Sequence, residues 1–238
     1  MTISLIVPTF RERRRIGAQL THLAKLEGVF EVIVVDGASD DGTLAEVERH
    51  VPGYAHTLIP LSGPRGRALQ MNRGASHARG DVLWFVHADT EPPPDAIRWV
   101  TDTLSDATVA AGAFRTHTVV DQVVSHWWQR CAHHWLRLAD LRSRYTHLPY
   151  GDQAIFLKRR TFERLGGFRS IPLMEDLDLS LRLARVGRIR TVPVSVRVSG
   201  RRFLEHPLRD TLLVNVLPLL FRSGVSPERL ASLYRDVR

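Results

Sequence analysis

The stretch EVIVVDGASDDGT, residues 31–43, predicts a buried β-strand that ends in a polar turn and leads into a helix. Residues 31–35 form a nearly continuous apolar run, which is typical of a strand covered on both faces. A helical pattern follows over Thr43–His50. A buried strand followed by a helix is the repeating unit of α/β proteins with a mainly parallel sheet.

The same alternation extends to both sides of this stretch. Further strands are predicted at 3–7, 57–59, 81–86 and 109–115, with helices at 16–26, 68–78 and 95–104. The second half is less regular. Its predicted elements are a helix at 119–139, a strand at 153–158, a helix at 175–186, two short strands within 190–198, and tail helices at 208–222 and 226–234. We therefore expect an α/β domain over residues 1–205 and a helical extension over residues 206–238. The extension would pack on the domain, form a homodimer contact, or lie on a membrane surface.

Composition narrows the functional classes. The chain has 238 residues, 44% of them hydrophobic, which is enough for a sizeable core. The single Cys131 excludes an intrachain disulfide, and no apolar run reaches the roughly 20 residues of a membrane-spanning helix. These features predict a soluble cytoplasmic protein, or one attached to the inner face of a membrane.

The formal net charge of +8 comes almost entirely from arginine, since Lys25 and Lys158 are the only lysines. The arginines are scattered and no aromatic platform interleaves with them, which argues against nucleic-acid binding. Small anionic ligands or an anionic membrane surface explain the charge at least as well.

The carboxyl ends of the predicted strands direct attention to residues 8–12, 36–43 and 87–91, because ligands of parallel sheets bind there. The first strand–helix turn lacks the Gly-x-Gly-x-x-Gly pattern of dinucleotide-binding folds, and the chain has no Walker-type lysine motif. Asp36, at the strand end, is a candidate ligand of a base or ribose. Asp40 and Asp41 are better explained as turn and helix-cap residues.

His87 and Asp89 stand two residues apart after the fourth strand. On an extended segment they would point to the same side, near one metal ion. Mg²⁺ and Mn²⁺ favour carboxylate oxygen, and an imidazole ligand suits Mn²⁺ better. A polar strand end that only caps the next helix would give the same pattern.

Two further groups carry candidate chemistry. Arg65 and Arg67 enter a predicted helix and could clamp a diphosphate, or could simply be solvated. Glu175 and Asp176 open another helix, where the helix dipole alone would favour carboxylates. The functional alternative for this pair is a general base.

Taken in order, Val7-Pro8-Thr9, residues 35–43, His87-Ala88-Asp89 and Glu175-Asp176 resemble glycosyltransferase family 2 over most of residues 1–190. Several segments are closer still to a bacterial subgroup named as radical-SAM/selenodomain-associated transferases. These segments are residues 66–72, 87–90, Gly151–Gln153, 166–168, 174–179 and 199–202.

The resemblance implies a GT-A fold and a set of roles. The nucleotide would lie among Pro8, Thr9, Glu12, Asp36 and Ala88, with Asp36 on the base. Asp89, with His87, would hold a divalent metal, and Asp176 would be the catalytic base with Glu175 beside it in the acceptor site. Arg67, Arg201 and Arg202 would reach the diphosphate, and Asp152 and Gln153 would contact the acceptor or the diphosphate. The family usually has Asp where this chain has His87, which puts the identity and strength of metal binding in question.

The expected activity is inverting transfer of a sugar from a nucleoside-diphosphate sugar, with UDP favoured, to an unidentified hydroxyl acceptor, for which a lipid-linked molecule is one option. Two alternatives remain open: a non-catalytic sugar-nucleotide-binding scaffold and, with less support, a nucleotidyltransferase. Around 126–135, Trp127, Trp128 and Trp135 with three histidines would line an acceptor groove or form an ordinary amphipathic helix.

Overall fold

The computed structural model describes residues 1–119, 140, 147–200 and 207–235. The predicted helix at 119–139, with its tryptophans and histidines, lies almost wholly outside these residues. Arg201 and Arg202, predicted to reach the diphosphate, also lie outside them.

The described residues form one eight-stranded sheet flanked by helices. Its strands are β1 (Ile3–Thr9), β2 (Phe30–Asp36), β3 (Thr57–Ser62), β4 (Val82–Phe85), β5 (Thr90–Glu91), β6 (Val109–Val119), β7 (Phe156–Lys158) and β8 (Arg188–Ser199). Its helices are α1 (Arg13–Leu23), α2 (Thr43–His50), α3 (Arg67–His77), α4 (Ala96–Ser105), α5 (Arg159–Arg164), α6 (Glu175–Leu183), α7 (Pro207–Arg222) and α8 (Pro227–Arg235). This architecture confirms the predicted α/β class.

The strand order across the sheet is β3-β2-β1-β4-β7-β6-β8-β5. Strands β3, β2, β1 and β4 are parallel, as the strand–helix alternation predicts. Strand β7 then lies antiparallel to both β4 and β6, and β6 is parallel to β8. The parallel strands bring the ends of β1, β2 and β4 to one edge, which is where the candidate site forms.

Helices on both faces of the sheet create two apolar layers. On β1, Leu5 and Val7 belong to one cluster with residues of α1 and α4. Ile6 points to the opposite face and joins a second cluster with Met71 of α3 and Leu179 of α6. Because alternate residues of a strand face opposite sides, burial on both faces requires the continuous apolar runs seen in the sequence.

The structure corrects several predicted elements of the second half. Two short strands were expected at 190–198, but β8 is a single strand of 12 residues, and it pairs with both β6 and β5. Strand β7 starts only at Phe156, because Gly151–Gln153 form a 3₁₀ turn and Ala154 adopts a left-handed conformation with φ of 48°. The two-residue β5 and the six-residue α5 were not predicted, because neither is long enough to show a periodic pattern.

The tail helices α7 and α8 pack against the domain through a small separate cluster. Its buried members are Leu173, Leu217, Leu230 and Ala231. On the outer side of α7, Leu212 and Leu219 are each 63% exposed. No helix among the described residues is long and apolar enough to cross a membrane. The predicted division at residue 205 stays a prediction.

Candidate active site

A cavity of about 960 Å³ opens at the carboxyl edge of the parallel strands. Five parts of the chain line it. They are the ends of β1 and β4 (Pro8, Thr9, Phe10, Glu12, His87, Ala88, Asp89), the entrance of α3 (Arg65, Gly66, Arg67, Gln70), the loop before α6 (Pro172, Leu173) and α8 (Ala231, Tyr234). Eight residues singled out from the sequence therefore share this cavity, whereas Glu175 and Asp176 are not among its lining residues; the eight are Pro8, Thr9, Glu12, Arg65, Arg67, His87, Ala88 and Asp89.

Asp36 lies at the end of β2 but does not line this cavity. Its side chain is 1% exposed. The backbone N–H and the hydroxyl of Ser39 both donate to its carboxylate, at 2.8 and 2.5 Å. In this structure Asp36 closes the turn after β2. The predicted contact with the base would therefore require a lone pair of the carboxylate that the bonds from Ser39 leave accessible.

Asp40 and Asp41 do not line the cavity and make contacts that support the neighbouring turns. Asp41 accepts from the backbone N–H of Thr43 at 3.0 Å and from that of Arg13 at 3.2 Å, which joins the starts of α2 and α1. Asp40 forms a two-pronged, exposed ion pair with Arg11.

The amide of Gln70 fixes the shape of the sheet edge. Its Nε2 donates to the carbonyl of Thr9 at 2.6 Å and to that of Val35 at 2.9 Å, so one side chain of α3 joins β1 to β2. The same amide leaves little space next to Gly37, where an added Cβ would lie 3.1 Å from Nε2. Gln70 had no assigned role in the sequence-based interpretation, because nothing in the spacing shows which carbonyls a glutamine will reach.

Two residues further along α3, Asn72 holds the loop that leads to α6. Its Nδ2 donates to the carbonyl of Phe168, and its Oδ1 accepts from the N–H of the same residue. An added Cβ on Gly167 would lie 2.7 Å from that Oδ1, so a glycine is needed there. Gln70 and Asn72, within segment 66–72, thus position the ends of β1 and β2 and the loop before α6.

His87 and Asp89 both face the cavity, but the local geometry differs from the expected extended segment. The N–H of Thr90 donates to the carbonyl of His87 at 3.1 Å, which closes a turn over residues 87–90. The prediction that an extended segment would place both side chains on the same side is therefore wrong. A turn, followed by the pairing of β5 with β8, brings both side chains to the cavity instead.

Arg67, the first residue of α3, forms an ion pair with Glu175, the first residue of α6. Its Nε lies 2.7 Å from Oε1 of Glu175, which is 2% exposed, whereas Arg67 is 39% exposed. Burial raises the pKa of Glu175, the positive charge of Arg67 opposes that rise, and the charge of Glu175 in turn raises the pKa of Arg67. No described residue donates a hydrogen bond to the second oxygen of Glu175. The pair links two helix starts and leaves part of the guanidinium open to the cavity.

Asp176 is 9% exposed and is held by the backbone. Its Oδ2 accepts from the N–H of Gly151 at 2.7 Å, and its Oδ1 accepts from the N–H of Leu177 at 2.7 Å. A Cβ on Gly151 would lie 2.7 Å from Cε1 of His87 and 3.2 Å from Oδ2 of Asp176. Gly151 therefore separates the predicted base from a predicted metal ligand, and it was not assigned that position from the sequence.

Asp152 and Gln153 follow Gly151 in the 3₁₀ turn and do not line the cavity. Gln153 is buried, and both ends of its amide are used. Its Nε2 donates to the carbonyl of Phe114 at 3.1 Å, and its Oε1 accepts from the N–H of Tyr150 at 3.1 Å. In this structure Gln153 supports the turn that carries Gly151.

The cavity wall also includes a cation–aromatic contact that was not predicted. The guanidinium of Arg65 lies 4.4 Å from the centre of the Phe10 ring. This contact uses the face of the guanidinium and leaves the nitrogen atoms of Arg65 able to meet an anion.

The side chains of the cavity supply only part of the ligand shell that a hard divalent cation needs. Within residues 1–119, 140, 147–200 and 207–235, no cluster of three or more His, Cys, Asp or Glu could hold a metal ion. His87 and Asp89 offer an imidazole nitrogen and carboxylate oxygens to one cavity. Ions such as Mg²⁺ and Mn²⁺ are commonly held by one or two side chains, with substrate phosphates completing the shell. The residues fit that arrangement.

The family model described as "Glycosyl transferase family 2" matches residues 4–166, more than half of the chain and most of the sheet edge described above. This chain belongs to glycosyl transferase family 2. The match confirms the family predicted from the motifs, whereas the proposed subgroup stays a prediction.

Relatives and solved structures agree with the family assignment. An uncharacterized glycosyltransferase of Mycobacterium tuberculosis strain H37Rv is 36% identical over 109 residues, which cover 44% of this chain and 40% of that protein. The dolichol-phosphate mannosyltransferase of Pyrococcus furiosus is 30% identical over 99 residues, which cover 41% of this chain and 28% of that protein. The matches thus span well under half the length of these curated relatives.

A mannosyltransferase of Pyrobaculum calidifontis, solved in complex with GDP-Man and Mn²⁺, superposes with a TM-score of 0.70 at 25% identity, over 95% of this chain and 66% of that one. Residues 1–349 of S. aureus TarS, in complex with UDP-GlcNAc, superpose with a TM-score of 0.64 over 97% of this chain and 69% of that one. At 16% identity the second likeness shows the GT-A fold alone.

Proposed function

We propose that this family 2 member is an inverting, metal-assisted glycosyltransferase that uses a nucleoside-diphosphate sugar. One observation carries the proposal: a single cavity of about 960 Å³ combines two arginines with the His87–Asp89 turn. Pockets for small ligands occupy roughly 300–1,000 Å³, so this one has room for a nucleotide sugar.

The donor would lie along the edge formed by β1 and β4. Pro8, Thr9 and Glu12 would border the nucleoside, and Arg65 and Arg67 would face the diphosphate. Guanidinium groups suit this role because they bind phosphate oxygens in pairs. We retain UDP as the favoured nucleotide for the test below, although the P. calidifontis structure contains GDP-Man.

His87 and Asp89 would hold the divalent cation. When bound, the ion neutralises negative charge that develops on the leaving diphosphate, so no protein acid is needed there. The Mn²⁺ in the P. calidifontis complex supports this part of the proposal. The imidazole of His87 favours Mn²⁺ over Mg²⁺ in this chain.

Asp176 would take the proton from the acceptor hydroxyl as that oxygen attacks the anomeric carbon. The N–H groups of Gly151 and Leu177 fix its two oxygens, yet each oxygen keeps a further lone pair. One base and one direct displacement on the face opposite the diphosphate give inversion. A lipid-linked acceptor is supported by the name of the P. furiosus relative.

Thermal unfolding tests the donor site directly. UDP, GDP, CDP, TDP and ADP are each compared with Mn²⁺, with Mg²⁺ and with a chelator. A ligand at about 100 times its dissociation constant stabilises the native state by roughly 2.7 kcal/mol, which raises the midpoint by several degrees. We expect one nucleotide to act, with Mn²⁺ more effective than Mg²⁺.

The same experiment, followed by a hydrolysis assay, distinguishes the enzyme from the alternative of a non-catalytic binding scaffold. A metal-dependent shift followed by metal-dependent hydrolysis of the matching nucleotide sugar supports the enzyme. A shift without hydrolysis or transfer would favour the scaffold. If no nucleotide changes the midpoint, the donor site proposed around Arg67 and Asp89 is wrong.

A further inference from the structure

One edge of the His87 ring lies close to the carboxylate of Asp176, the proposed base. A methyl group placed on Gly151 would lie 2.8 Å from Nε2 of His87 and 3.2 Å from Oδ2 of Asp176. The two atoms can be no further apart than these two distances laid end to end, about 6 Å. Either a direct hydrogen bond or one bridging oxygen atom spans such a separation.

The two nitrogen atoms of His87 have different surroundings. The three atoms nearest to the added methyl group would be Cε1 and Nε2 of His87 and Oδ2 of Asp176, so Nδ1 lies further from Gly151 than Nε2 does. The ring as a whole lines the cavity, whereas Asp176 does not. A histidine that binds a metal through one nitrogen usually donates the N–H of the other to a carboxylate, a carbonyl or a water molecule. His87 is placed for both contacts.

The carboxylate of Asp176 has room for one more donor on each oxygen. Oδ2 accepts from the N–H of Gly151 and Oδ1 from the N–H of Leu177, both at 2.7 Å. A carboxylate offers about four acceptor positions in all. A hydrogen bond from His87 to Oδ2 would therefore displace neither backbone donor, and it would leave a lone pair of Oδ1 for the proton of the acceptor.

The backbone holds the imidazole at this place. The N–H of Thr90 donates to the carbonyl of His87 at 3.1 Å, and the N–H of Ser199 in β8 donates to the carbonyl of Asp89 at 3.0 Å. The turn after β4 is thus closed on itself and tied to a long strand. The short distances around Gly151 follow from the packing of this turn against the 3₁₀ turn before β7 and the start of α6.

We propose that His87 is a positioning residue that connects the metal ion to the base. Its Nδ1 binds the ion, and its Nε2 donates a hydrogen bond to the carboxylate of Asp176, directly or through one oxygen atom. This inference rests on the proposed function, because it assumes a divalent cation in the cavity and Asp176 as the base. The aspartate that the family usually has at this position carries no N–H on its side chain, so the link depends on the histidine of this chain.

The link predicts that a change at Asp176 weakens metal binding. Calorimetric titrations measure the dissociation constant of the nucleoside diphosphate that stabilises wild type, once with saturating Mn²⁺ and once with a chelator. We call the ratio of the chelator value to the Mn²⁺ value the metal enhancement. Asp176→Ala should lower it about tenfold, because the partner of a metal-bound histidine contributes roughly 10–100-fold to metal affinity. The chelator value should change less than about twofold, since no ion takes part.

Two further variants separate this effect from a general loss of charge or structure. Asp176→Asn keeps one accepting oxygen and should retain most of the metal enhancement. Glu91→Ala removes a partly exposed carboxylate two residues from Asp89, which pairs with Arg197 at 3.8 Å, and should leave the metal enhancement unchanged. Unfolding midpoints confirm that each variant is folded at the titration temperature.

A second background tests whether the effect passes through the imidazole. With His87→Asp already in place, Asp176→Ala should change the metal enhancement less than about twofold, because the histidine that couples the two sites is gone. Pulsed EPR of the Mn²⁺ complex supplies a readout that does not depend on affinity. It should detect coupling to a nitrogen nucleus in wild type and lose that coupling in His87→Asp.

Each outcome bears on one part of the reasoning. An unchanged metal enhancement in Asp176→Ala, or an equal loss in the His87→Asp background, would overturn the inference and leave the proposed function intact. Absence of nitrogen coupling in wild type would overturn it as well. If wild type binds no nucleoside diphosphate, or binds it no more tightly with Mn²⁺, the metal-assisted function is wrong, and this inference with it.

Discussion

At the scale of single residues, the site depends on backbone groups as much as on the side chains that the motifs display. The carboxylate of Asp176 is oriented by two N–H groups, and one of them belongs to Gly151. Gly151 also adjoins the ring of His87. The proposed base and the proposed metal ligand are therefore set by one glycine that carries no functional side chain.

Replacing Asp176 with Asn should remove transfer and leave nucleotide affinity nearly unchanged. The amide keeps the shape of the carboxylate but cannot accept the acceptor's proton, and general bases contribute about 10²–10⁴-fold to rate. Initial rates of transfer and the nucleotide-induced midpoint shift are measured side by side. Asp102→Asn, at an exposed position on α4, is the control. Normal transfer by the Asp176 variant would show that another group is the base.

Gly151→Ala should reduce transfer by about 10- to 100-fold, because misplacement of catalytic groups by about 1 Å costs this much. The new methyl group would lie 2.7 Å from Cε1 of His87 and 3.2 Å from Oδ2 of Asp176, so one of them must move. Nucleotide binding without metal should persist. Gly17→Ala, within α1, is the comparison variant and should retain activity. Full activity of the Gly151 variant would mean that the two side chains are not held in place there.

Arg67→Ala should lower the free energy of unfolding by about 1–3 kcal/mol at neutral pH, because it leaves buried Glu175 without its cation. The effect should depend on pH. Burial raises the native pKa of Glu175 above its ordinary value of 4.5, so the native state binds the proton more tightly than the unfolded state does. The free energy of unfolding therefore falls as pH rises from about 4.5 through the native pKa of Glu175. It falls further in the variant, because the positive charge of Arg67 no longer stabilises the ionised carboxylate.

Denaturant titrations at pH 5 and pH 8 check this prediction. The difference between wild type and Arg67→Ala should be larger at pH 8. Arg65→Ala removes an exposed arginine of the same cavity that contacts Phe10, and it should show no comparable pH dependence. Equal losses at the two pH values would indicate that Glu175 is not the group that responds.

At the scale of elements, helix α3 does more than cover the sheet. It presents Arg67 to the cavity, joins β1 to β2 through Gln70, and holds the loop before α6 through Asn72. Arg67, Gln70 and Asn72 have three different roles because side chains at these positions of a helix point in different directions. The local order of the site follows from this one helix.

Gln70→Leu should destabilise the protein by about 1–3 kcal/mol, because two buried carbonyls, of Thr9 and Val35, each lose one of their hydrogen-bond donors. Urea unfolding measures the change. Ser76→Ala, exposed on the same helix, is the control and should stay within about 0.5 kcal/mol of wild type. An unchanged midpoint for Gln70→Leu would mean that the two hydrogen bonds of Gln70 contribute nothing to stability.

At the scale of the whole molecule, one continuous sheet with apolar layers on both faces supports the site, and a smaller cluster attaches the tail. The buried members of that cluster are only Leu173, Leu217, Leu230 and Ala231. In contrast, every residue of β1 and β2 is buried. The tail thus reaches the site while depending on few contacts.

Hydrogen exchange should therefore separate the two parts. Amides of α7 and α8 should exchange at least about tenfold faster than those of β1 and β2, because few buried apolar contacts mean low local stability. Exchange followed by mass spectrometry measures both regions in one experiment, with α3 as a helical reference. Equal protection throughout would contradict the proposed division near residue 205 and would indicate one cooperative unit.

The sequence by itself determined the class of the fold, the parallel half of the sheet and the family. Apolar runs such as residues 31–35 and the turn after them are local signals, because burial on both faces and helix capping each act within a few residues. The same locality explains why Asp41 could be expected at the turn before α2, where its bond to the N–H of Thr43 needs only neighbouring residues, although the N-cap itself is Gly42. It also explains why Pro8, Thr9, His87 and Asp89 could be assigned to one edge.

Only the tertiary structure decided which distant groups meet. Gly151 lies between His87 and Asp176, Gln70 joins two strands, and Tyr234 faces the site from the far end of the chain. The position of β7 between β4 and β6 was equally hidden from the sequence. These contacts join segments from 25 to more than 150 residues apart, and they depend on how the elements pack. Packing at such separations leaves no periodic pattern in the sequence, so the supports of the site become visible only in the folded chain.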